Sequence, residues 1–142
     1  MDRSAYDDVT GGCHCGGVRF KAKLVDGLNT ARRCTCSLCS KRGAIAVSAK
    51  VENFDIVKGA ELLTLYRFNT MVAEHWFCSV CGIYTHHRRR SKPTEYGINV
   101  ACIDGLSPFD FDAVVVNDGQ THPNDRPPGT DGVAGVLRYE PR

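Results

Sequence analysis

The sequence predicts a small, mainly β domain that folds over on itself and contains little helix. Short segments in which apolar and polar residues alternate recur along the chain, and this is the periodicity of half-buried strands. Turn signals rich in glycine, proline, asparagine and aspartate separate the segments, and no long stretch shows a helical period. A chain of 142 residues suits one domain, which we expect to span 1–142 with a core over about 9–118.

The first half of the chain supplies four predicted strands. V-R-F-K-A-K-L alternates clearly, D-G-L-N follows it as a turn, and 51–59 is a short extended stretch that ends in another turn. N-T at 69–70 is typical of a hairpin turn between the third and fourth strands. The predicted strands cover 18–24, 43–50, 62–68 and 71–78.

The second half continues the same pattern, with one segment that fits two structures. Strands are predicted over 83–87 and 96–103, whereas 110–118 fits either a strand or a short helix. A loop rich in proline, glycine and aspartate covers 119–132, and a C-terminal strand returns within 133–142.

Composition narrows the class of protein. Hydrophobic residues make up 42% and charged residues 24%, which is ordinary for a soluble globular domain. The N-terminal segment is polar and lacks the apolar region of a secretory signal, and apolar runs such as 113–116 are too short to cross a bilayer. We therefore expect a cytoplasmic protein without a membrane partner.

Eight cysteines dominate the functional signal. In a reducing compartment, clustered thiols are more often metal ligands or catalytic groups than disulfides. Seven of them fall into tight C-x-C and C-x-x-C groups, a spacing that suits one metal ion better than a relaxed disulfide. Two zinc ions held by seven thiolates would lower the formal net charge from +2 to −1, which disfavours a general nucleic-acid binder.

Two cysteine pairs on glycine-rich loops supply the four ligands of a closed structural zinc site. Such a site would join the N-terminal loop to a loop about sixty residues later. Structural zinc contributes roughly 10–16 kcal/mol in small peptides, so this site would decide whether the domain folds. The predicted ligands are Cys13, Cys15, Cys78 and Cys81.

The remaining group, Cys34, Cys36 and Cys39, has three ligands and resembles a catalytic zinc site with one open position. That position could accept a thiol, water or a carbonyl. Basic side chains flank the group and would offset the thiolate charge or attract an anionic ligand. These side chains are Arg32, Arg33, Lys41 and Arg42. One zinc with spare buried thiols, or a redox dithiol, are the alternatives that spacing leaves open.

The motifs G-G-C-H-C-G-G-V-R-F, C-T-C-S-L-C and F-C-S-V-C-G, in this order, resemble the glutathione-dependent formaldehyde-activating (GFA) family, also called centromere protein V-like. The resemblance covers about 11–105; the tail after Gly105 matches no motif. It implies a folded β architecture shared with a small Rab-binding zinc chaperone. It also implies two zinc ions per chain, a structural one on the four-cysteine set and a labile one on the three-cysteine set.

The resemblance further implies a carbon–sulfur lyase-type enzyme whose partners are a small-molecule thiol and an aldehyde. Glutathione and formaldehyde would form S-hydroxymethylglutathione, or a related thiol adduct would be handled. The carboxylates of glutathione could then bind the four flanking cations. The centromere protein V branch leaves an alternative open, a non-catalytic zinc-binding interaction module; a zinc or redox buffer is a third hypothesis.

Other polar residues carry weaker hypotheses. Cys102 is expected as a small buried residue in a strand, or else as a fourth ligand of the second zinc or a reactive thiol near it. His86 and His87 are adjacent in a strand, so they point to opposite faces and are expected to be partly exposed, with at most one serving as ligand or general acid. His75 is expected on a strand surface.

A short basic run follows the two histidines. We expect a solvated loop there, with an anion site for substrate carboxylates as the alternative. Nucleic-acid binding is disfavoured because the run is short and lacks interleaved aromatic residues. The run consists of Arg88, Arg89, Arg90 and Lys92.

Overall fold

One ten-stranded sheet organises the parts of the chain that this computed structural model describes, which are residues 6–121, 125–129 and 131–142. The strands are β1 (Asp8–Gly12), β2 (Arg19–Leu24), β3 (Arg32–Cys34), β4 (Ala46–Lys58), β5 (Leu63–Tyr66), β6 (Glu74–Cys78), β7 (Tyr84–Arg88), β8 (Glu95–Asn99), β9 (Ala113–Asn117) and β10 (Val133–Arg138). One short helix, α1 (Ser37–Arg42), follows β3. Three 3₁₀ turns cover Ala60–Leu62, Val100–Cys102 and Pro108–Asp110.

The sheet runs in the order β10-β9-β3-β4-β8-β7-β6-β5, and the β1–β2 hairpin joins it through β4. Neighbouring strands are antiparallel except β3 and β9, which run parallel. The long strand β4 pairs with β8 along its first part and with β2 mainly along its second part. Irregular register between β2 and β4 accompanies this change of partner, as expected where a strand bends. The predicted mainly β architecture, folded over on itself, is confirmed.

The main core lies between the β1–β2 hairpin and the centre of the sheet. Its fully buried side chains include Phe20, Leu28, Val47, Ile98 and Phe111. The alternation predicted for 18–24 is confirmed in β2, where every second residue is buried. This core supports the strands that carry the cysteines.

A separate, smaller cluster contains Cys13, Val18 and Cys78, with Leu62 and Leu63 packed beside them. Two buried cysteines thus lie at its centre.

Several local expectations differ from the structure. Of the two structures that fit 110–118, the strand is the one that forms, as β9, and the 3₁₀ turn that Ser107 caps and Pro108 begins precedes it. The strand predicted over 96–103 ends at Asn99, whose side chain accepts the N–H of Ala101 and starts a 3₁₀ turn. β1 and β3 are short strands that alternation does not reveal. Within the described residues, no helix is long and apolar enough to cross a membrane.

Candidate functional site: two cysteine clusters

The first cluster brings together Cys13, Cys15, Cys78 and Cys81, whose sulfur atoms all lie within 4.8 Å of one another. The sulfur of Cys15 lies 3.5 Å from that of Cys13 and 3.8 Å from that of Cys78. Sulfur atoms at the corners of a tetrahedron around zinc, with bonds of about 2.3 Å, would be about 3.8 Å apart. The four thiols therefore fit a zinc ion, and they could hold one.

Two tight turns shape this cluster. The N–H groups of Gly17 and Val18 point at the sulfur atoms of Cys15 and Cys13, at 3.4 Å and 3.3 Å. In the β6–β7 turn, Gly82 adopts a positive φ of 79° and donates its N–H to the carbonyl of Cys78. Backbone N–H groups also lower the pKa of Cys81 to about 6. The backbone N–H groups of both turns favour the thiolate, the form that binds metal, whereas the neighbouring thiols raise the pKa of Cys15 to about 11.

The second cluster contains Cys34 at the end of β3, Cys36 at the N-cap of α1 and Cys39 within α1. Their sulfur atoms also lie within 4.8 Å of one another. The N–H of Cys36 donates to the sulfur of Cys34 at 3.4 Å, and the N–H of Cys39 donates to the sulfur of Cys36 at 3.3 Å. Part of the three-cysteine segment thus forms a short helix, and Cys36 caps it.

Hydrogen bonds among the three thiols make their pKa values unequal. Hydrogen bonds from Cys34 and Cys39 lower the pKa of Cys36 to about 2. The same bonds raise the pKa values of Cys34 and Cys39, and burial raises them further. A divalent cation entering this cluster would therefore displace protons from the other two thiols.

A segment that follows β9 covers the second cluster. The N–H of Thr35 donates to the carbonyl of Asn117 at 3.1 Å, and the N–H of Gly119 donates to the hydroxyl of Thr35 at 3.0 Å. The amide of Gln120 donates to the carbonyl of Thr35. The segment 117–120 therefore holds the cysteine turn through Thr35, which no sequence motif indicates.

Gly119 lies so close to the second cluster that it has no room for a side chain. A Cβ atom there would lie 2.2 Å from the sulfur of Cys34 and 2.6 Å from the backbone nitrogen of Cys36. We expect Gly119→Ala to displace Cys34 and to weaken metal binding at the second cluster by about 10-fold or more, as loss of supporting contacts commonly does. Zinc titration against a chromophoric chelator measures this.

Gly135 provides the matched control, because a Cβ atom added there would meet nothing within 4 Å and its φ is not positive. Gly135→Ala should leave the zinc affinity unchanged. Equal affinities for the Gly119→Ala and Gly135→Ala variants would contradict the tight packing described for Gly119.

On the sheet side of the second cluster, Arg42 contacts three groups. Its Nη2 lies 3.5 Å from the sulfur of Cys39, and its Nη1 lies 3.1 Å from Nδ1 of His75. Its guanidinium carbon lies 3.7 Å from the centre of the Tyr84 ring. Tyr84 in turn places its hydroxyl 2.5 Å from Nδ1 of His87.

Two predictions about the histidines are wrong. His75 is buried, with 8% of its surface exposed, because Arg42 and Phe68 cover it. His86 is also buried, at 4%, since Phe54, Trp76 and Tyr96 surround its ring.

His87 is partly exposed, as expected. Its ring stacks on that of His75 and lies on the sheet face opposite to His86, as strand geometry predicts. Burial, with nearby arginines, lowers the pKa values of His75 to about 4 and of His87 well below its usual range. Both rings are therefore neutral at physiological pH.

Cys102 lies in a 3₁₀ turn rather than in a strand and is 6% exposed. Its thiol donates to the carbonyl of Tyr84 at 3.3 Å, and burial raises its pKa to about 12. It packs in the main core and belongs to neither cysteine cluster. Its interpretation as a small buried residue is the one that the structure favours.

The four flanking cations differ in their surroundings. Arg32 donates to the carbonyl of Thr30 and to the hydroxyl of Ser48, and burial lowers its pKa to about 10. Arg42 makes the contacts described above. Lys41 is exposed and Arg33 is half-buried. In the basic run, Arg88 forms an ion pair with Glu74, and Lys92 pairs with Glu95 at 3.3 Å.

Comparison with known proteins agrees with this arrangement. The family model described as "Glutathione-dependent formaldehyde-activating enzyme" matches residues 8–116, which include both cysteine clusters. A protein of Halomonas elongata named "Putative glutathione-dependent formaldehyde-activating enzyme" is 35% identical over 83 residues, covering 52% of this chain and 52% of the relative. The chain thus spans about half the length of that curated relative.

A Rhodobacter sphaeroides protein of known crystal structure is 55% identical in sequence to this chain, and the two structures match with a TM-score of 0.70. The match covers 71% of this chain and 93% of the other chain. The segment 117–120, which covers the second cluster, lies beyond the part matched by the family model.

Proposed function

This chain belongs to the glutathione-dependent formaldehyde-activating enzyme family, and on that premise we propose that it is a zinc-dependent enzyme that adds a thiol to a small aldehyde. The observation that carries the proposal is the unequal pair of cysteine clusters, one with four thiols and one with three. Four thiols complete a tetrahedral site, whereas three leave one position for a substrate. The four-cysteine cluster would hold a structural zinc, and the three-cysteine cluster a working zinc.

The reaction proposed at the second cluster is the addition of a thiol to an aldehyde, which needs no oxidant or reductant. The substrate sulfur forms a bond to the carbonyl carbon of the aldehyde, and the thiol proton passes to the carbonyl oxygen. The reverse reaction breaks the same carbon–sulfur bond, which is lyase chemistry. When bound by Cys34, Cys36 and Cys39, zinc would lower the pKa of a thiol in the remaining position.

The chain's own residues would bind and orient the thiol. We propose glutathione, or a related thiol that carries carboxylates, because cations flank the second cluster. Of the four predicted contacts, Arg33 and Lys41 are the two whose side chains form no hydrogen bond or ion pair with another described residue. Arg32 and Arg42 are already engaged with protein groups.

The whole chain would act as a single cytoplasmic domain. Its C-terminal strand β10 pairs with β9 within the same sheet that carries both clusters, which supports one domain over 1–142.

The first test measures zinc per chain and formaldehyde turnover together. We expect about two zinc ions, and a faster exchange between formaldehyde and S-hydroxymethylglutathione than the uncatalysed rate, as seen by NMR exchange spectroscopy. When glutathione is added, the second zinc should become easier to remove. With cobalt in place of that zinc, the visible spectrum of the second site should change instead.

A protein that holds two zinc ions, ignores glutathione and leaves the exchange rate at background would contradict the enzyme proposal. It would then fit the alternative, a non-catalytic zinc-binding interaction module. Bovine serum albumin at the same concentration controls for non-specific thiol catalysis.

A further inference from the structure

Cross-strand pairing places a row of residues on one face of the sheet. Tyr66 pairs with His75, His75 with His87, His87 with Gly97, and Gly97 with Ser48. Directly paired residues point to the same face, so these five positions form one line across five strands, here called the transverse row. The rings of His75 and His87 stack with centroids 5.5 Å apart.

The glycine in the transverse row makes room for a ring. A Cβ atom at Gly97 would lie 2.3 Å from Cε1 of His87, so the imidazole rests directly on the backbone of β8. On the next strand, the hydroxyl of Ser48 accepts a hydrogen bond from Arg32 at 2.9 Å. The transverse row therefore has a hydroxyl-bearing side chain at each end, Tyr66 and Ser48, and two imidazole rings between them.

An irregularity in β7 adds Tyr84 to this face. His86 pairs with Trp76, but Tyr84 pairs with Phe77, so β7 contains one extra residue at Thr85. The extra residue reverses the alternation and turns Tyr84 to the side of His87. Burial raises the pKa of the Tyr84 phenol, so it remains neutral and hydrogen-bonds to His87.

The side chain of Arg42 contacts both the second cysteine cluster and the transverse row. Its partners are the sulfur of Cys39, Nδ1 of His75 and the face of Tyr84. No carboxylate is among its contacts in the described part of the chain. Its Nε is buried without a hydrogen-bond partner there, so the residue is held by these three contacts.

We infer that Arg42 is a positioning residue for the second metal site, and that His75 acts on that site through Arg42. The guanidinium directs one N–H at the sulfur of Cys39, and His75 and Tyr84 fix the guanidinium from the other side. A charge-assisted hydrogen bond to a thiolate ligand orients the ligand and offsets its charge. The inference rests on the proposed function only in taking the three-cysteine cluster to bind metal.

This role makes a specific prediction about zinc affinity. Arg42→Met should weaken zinc binding at the second site by about 10-fold to 100-fold, the usual cost of losing an outer partner of a metal ligand. Arg42→Lys keeps the charge but not the fork that reaches two partners, so it should fall between the wild type and Arg42→Met. His75→Phe keeps the ring stacking but removes the acceptor, and should produce a smaller loss.

The double variant separates positioning from a general effect on stability. If His75 acts through Arg42, Arg42→Met with His75→Phe should bind zinc no more weakly than Arg42→Met alone. Arg138→Met is the matched control, because it removes an exposed arginine on β10, a strand that carries no cysteine. The control should keep the wild-type zinc affinity at the second site and the wild-type melting temperature. All of the variants should keep the zinc at the first site.

The experiment titrates each full-length variant with zinc against a chromophoric chelator and counts zinc per chain. An affinity of Arg42→Met within twofold of the wild type would overturn the inference, as would additive losses in the double variant. Should Arg42→Met fail to fold, Arg42→Lys and His75→Phe carry the same comparison, and wild-type affinity in both would overturn it.

The readout is independent of turnover. Weakened zinc binding without any aldehyde chemistry would sustain the inference and refute the enzyme proposal. A wild-type chain that binds zinc only at the first site would overturn both.

Discussion

Replacement of Cys78 by serine is expected to leave little folded protein at 37 °C. Cys78 is fully buried, and its sulfur lies 3.8 Å from that of Cys15, a residue 63 positions earlier in the chain. A metal at this cluster joins the N-terminal hairpin to the β6–β7 turn, and structural zinc contributes roughly 10–16 kcal/mol to folding in small peptides. A serine hydroxyl is a much poorer zinc ligand, so most of that stabilisation should be lost.

Thermal unfolding followed by circular dichroism, together with a zinc count, measures the effect. Each kcal/mol lost lowers the melting temperature of a domain of this size by about 2–8 °C, so a decrease of more than about 20 °C is expected. The zinc content should fall by about one ion per chain.

Cys102→Ala is the matched control, because Cys102 is also a buried cysteine but belongs to neither cluster. It should cost about 1–2 kcal/mol, the usual effect of a small deletion in a core, and should leave the zinc content unchanged. Equal decreases in melting temperature for the two variants would show that the first cluster holds no structural metal.

Replacement of Cys36 by serine should remove the second zinc and the activity while preserving the fold. The sulfur of Cys36 accepts the N–H of Cys39 and caps helix α1. Serine is a favoured N-cap residue, so its hydroxyl can keep this role while giving up the thiolate. We expect thiol–aldehyde exchange to fall by more than about 100-fold, since loss of an outer partner alone can cost that much.

Zinc per chain, the exchange rate and the far-ultraviolet circular dichroism spectrum are compared between Cys36→Ser and the wild type. Cys36→Ala serves as a second variant that loses the cap as well, and it should melt at a lower temperature than Cys36→Ser. A serine variant that retains both zinc ions would refute the ligand assignment. One that loses a zinc ion but keeps full activity would show that the second zinc is not the working metal.

The cysteine clusters could be grouped from the sequence because most ligands in each group are close in the chain. Cys13 and Cys15 lie on one turn, Cys78 and Cys81 on another, and local backbone geometry nearly decides each half of the site. The only long-range step was to join the two pairs, and the need for four ligands suggested it. The alternation in 18–24 likewise predicted β2, because burial of one strand face is a local property of the pattern.

The surroundings of the second cluster were beyond such reasoning. Arg42 meets His75 across 33 residues, and Gly119 approaches Thr35 across 84. These contacts depend on which strands are neighbours and in which register they pair. A lone glycine or histidine in the sequence carries no sign of either.

The sequence by itself therefore determined the mainly β class, the two groups of thiols and the basic charge beside the second group. Tertiary structure alone decided that His75 is buried, that Tyr84 faces His87 and that the segment 117–120 covers Cys34. The physical reason is the period of a strand. One extra residue at Thr85 places Tyr84 on the face of His87, and only the paired strand reveals that extra residue.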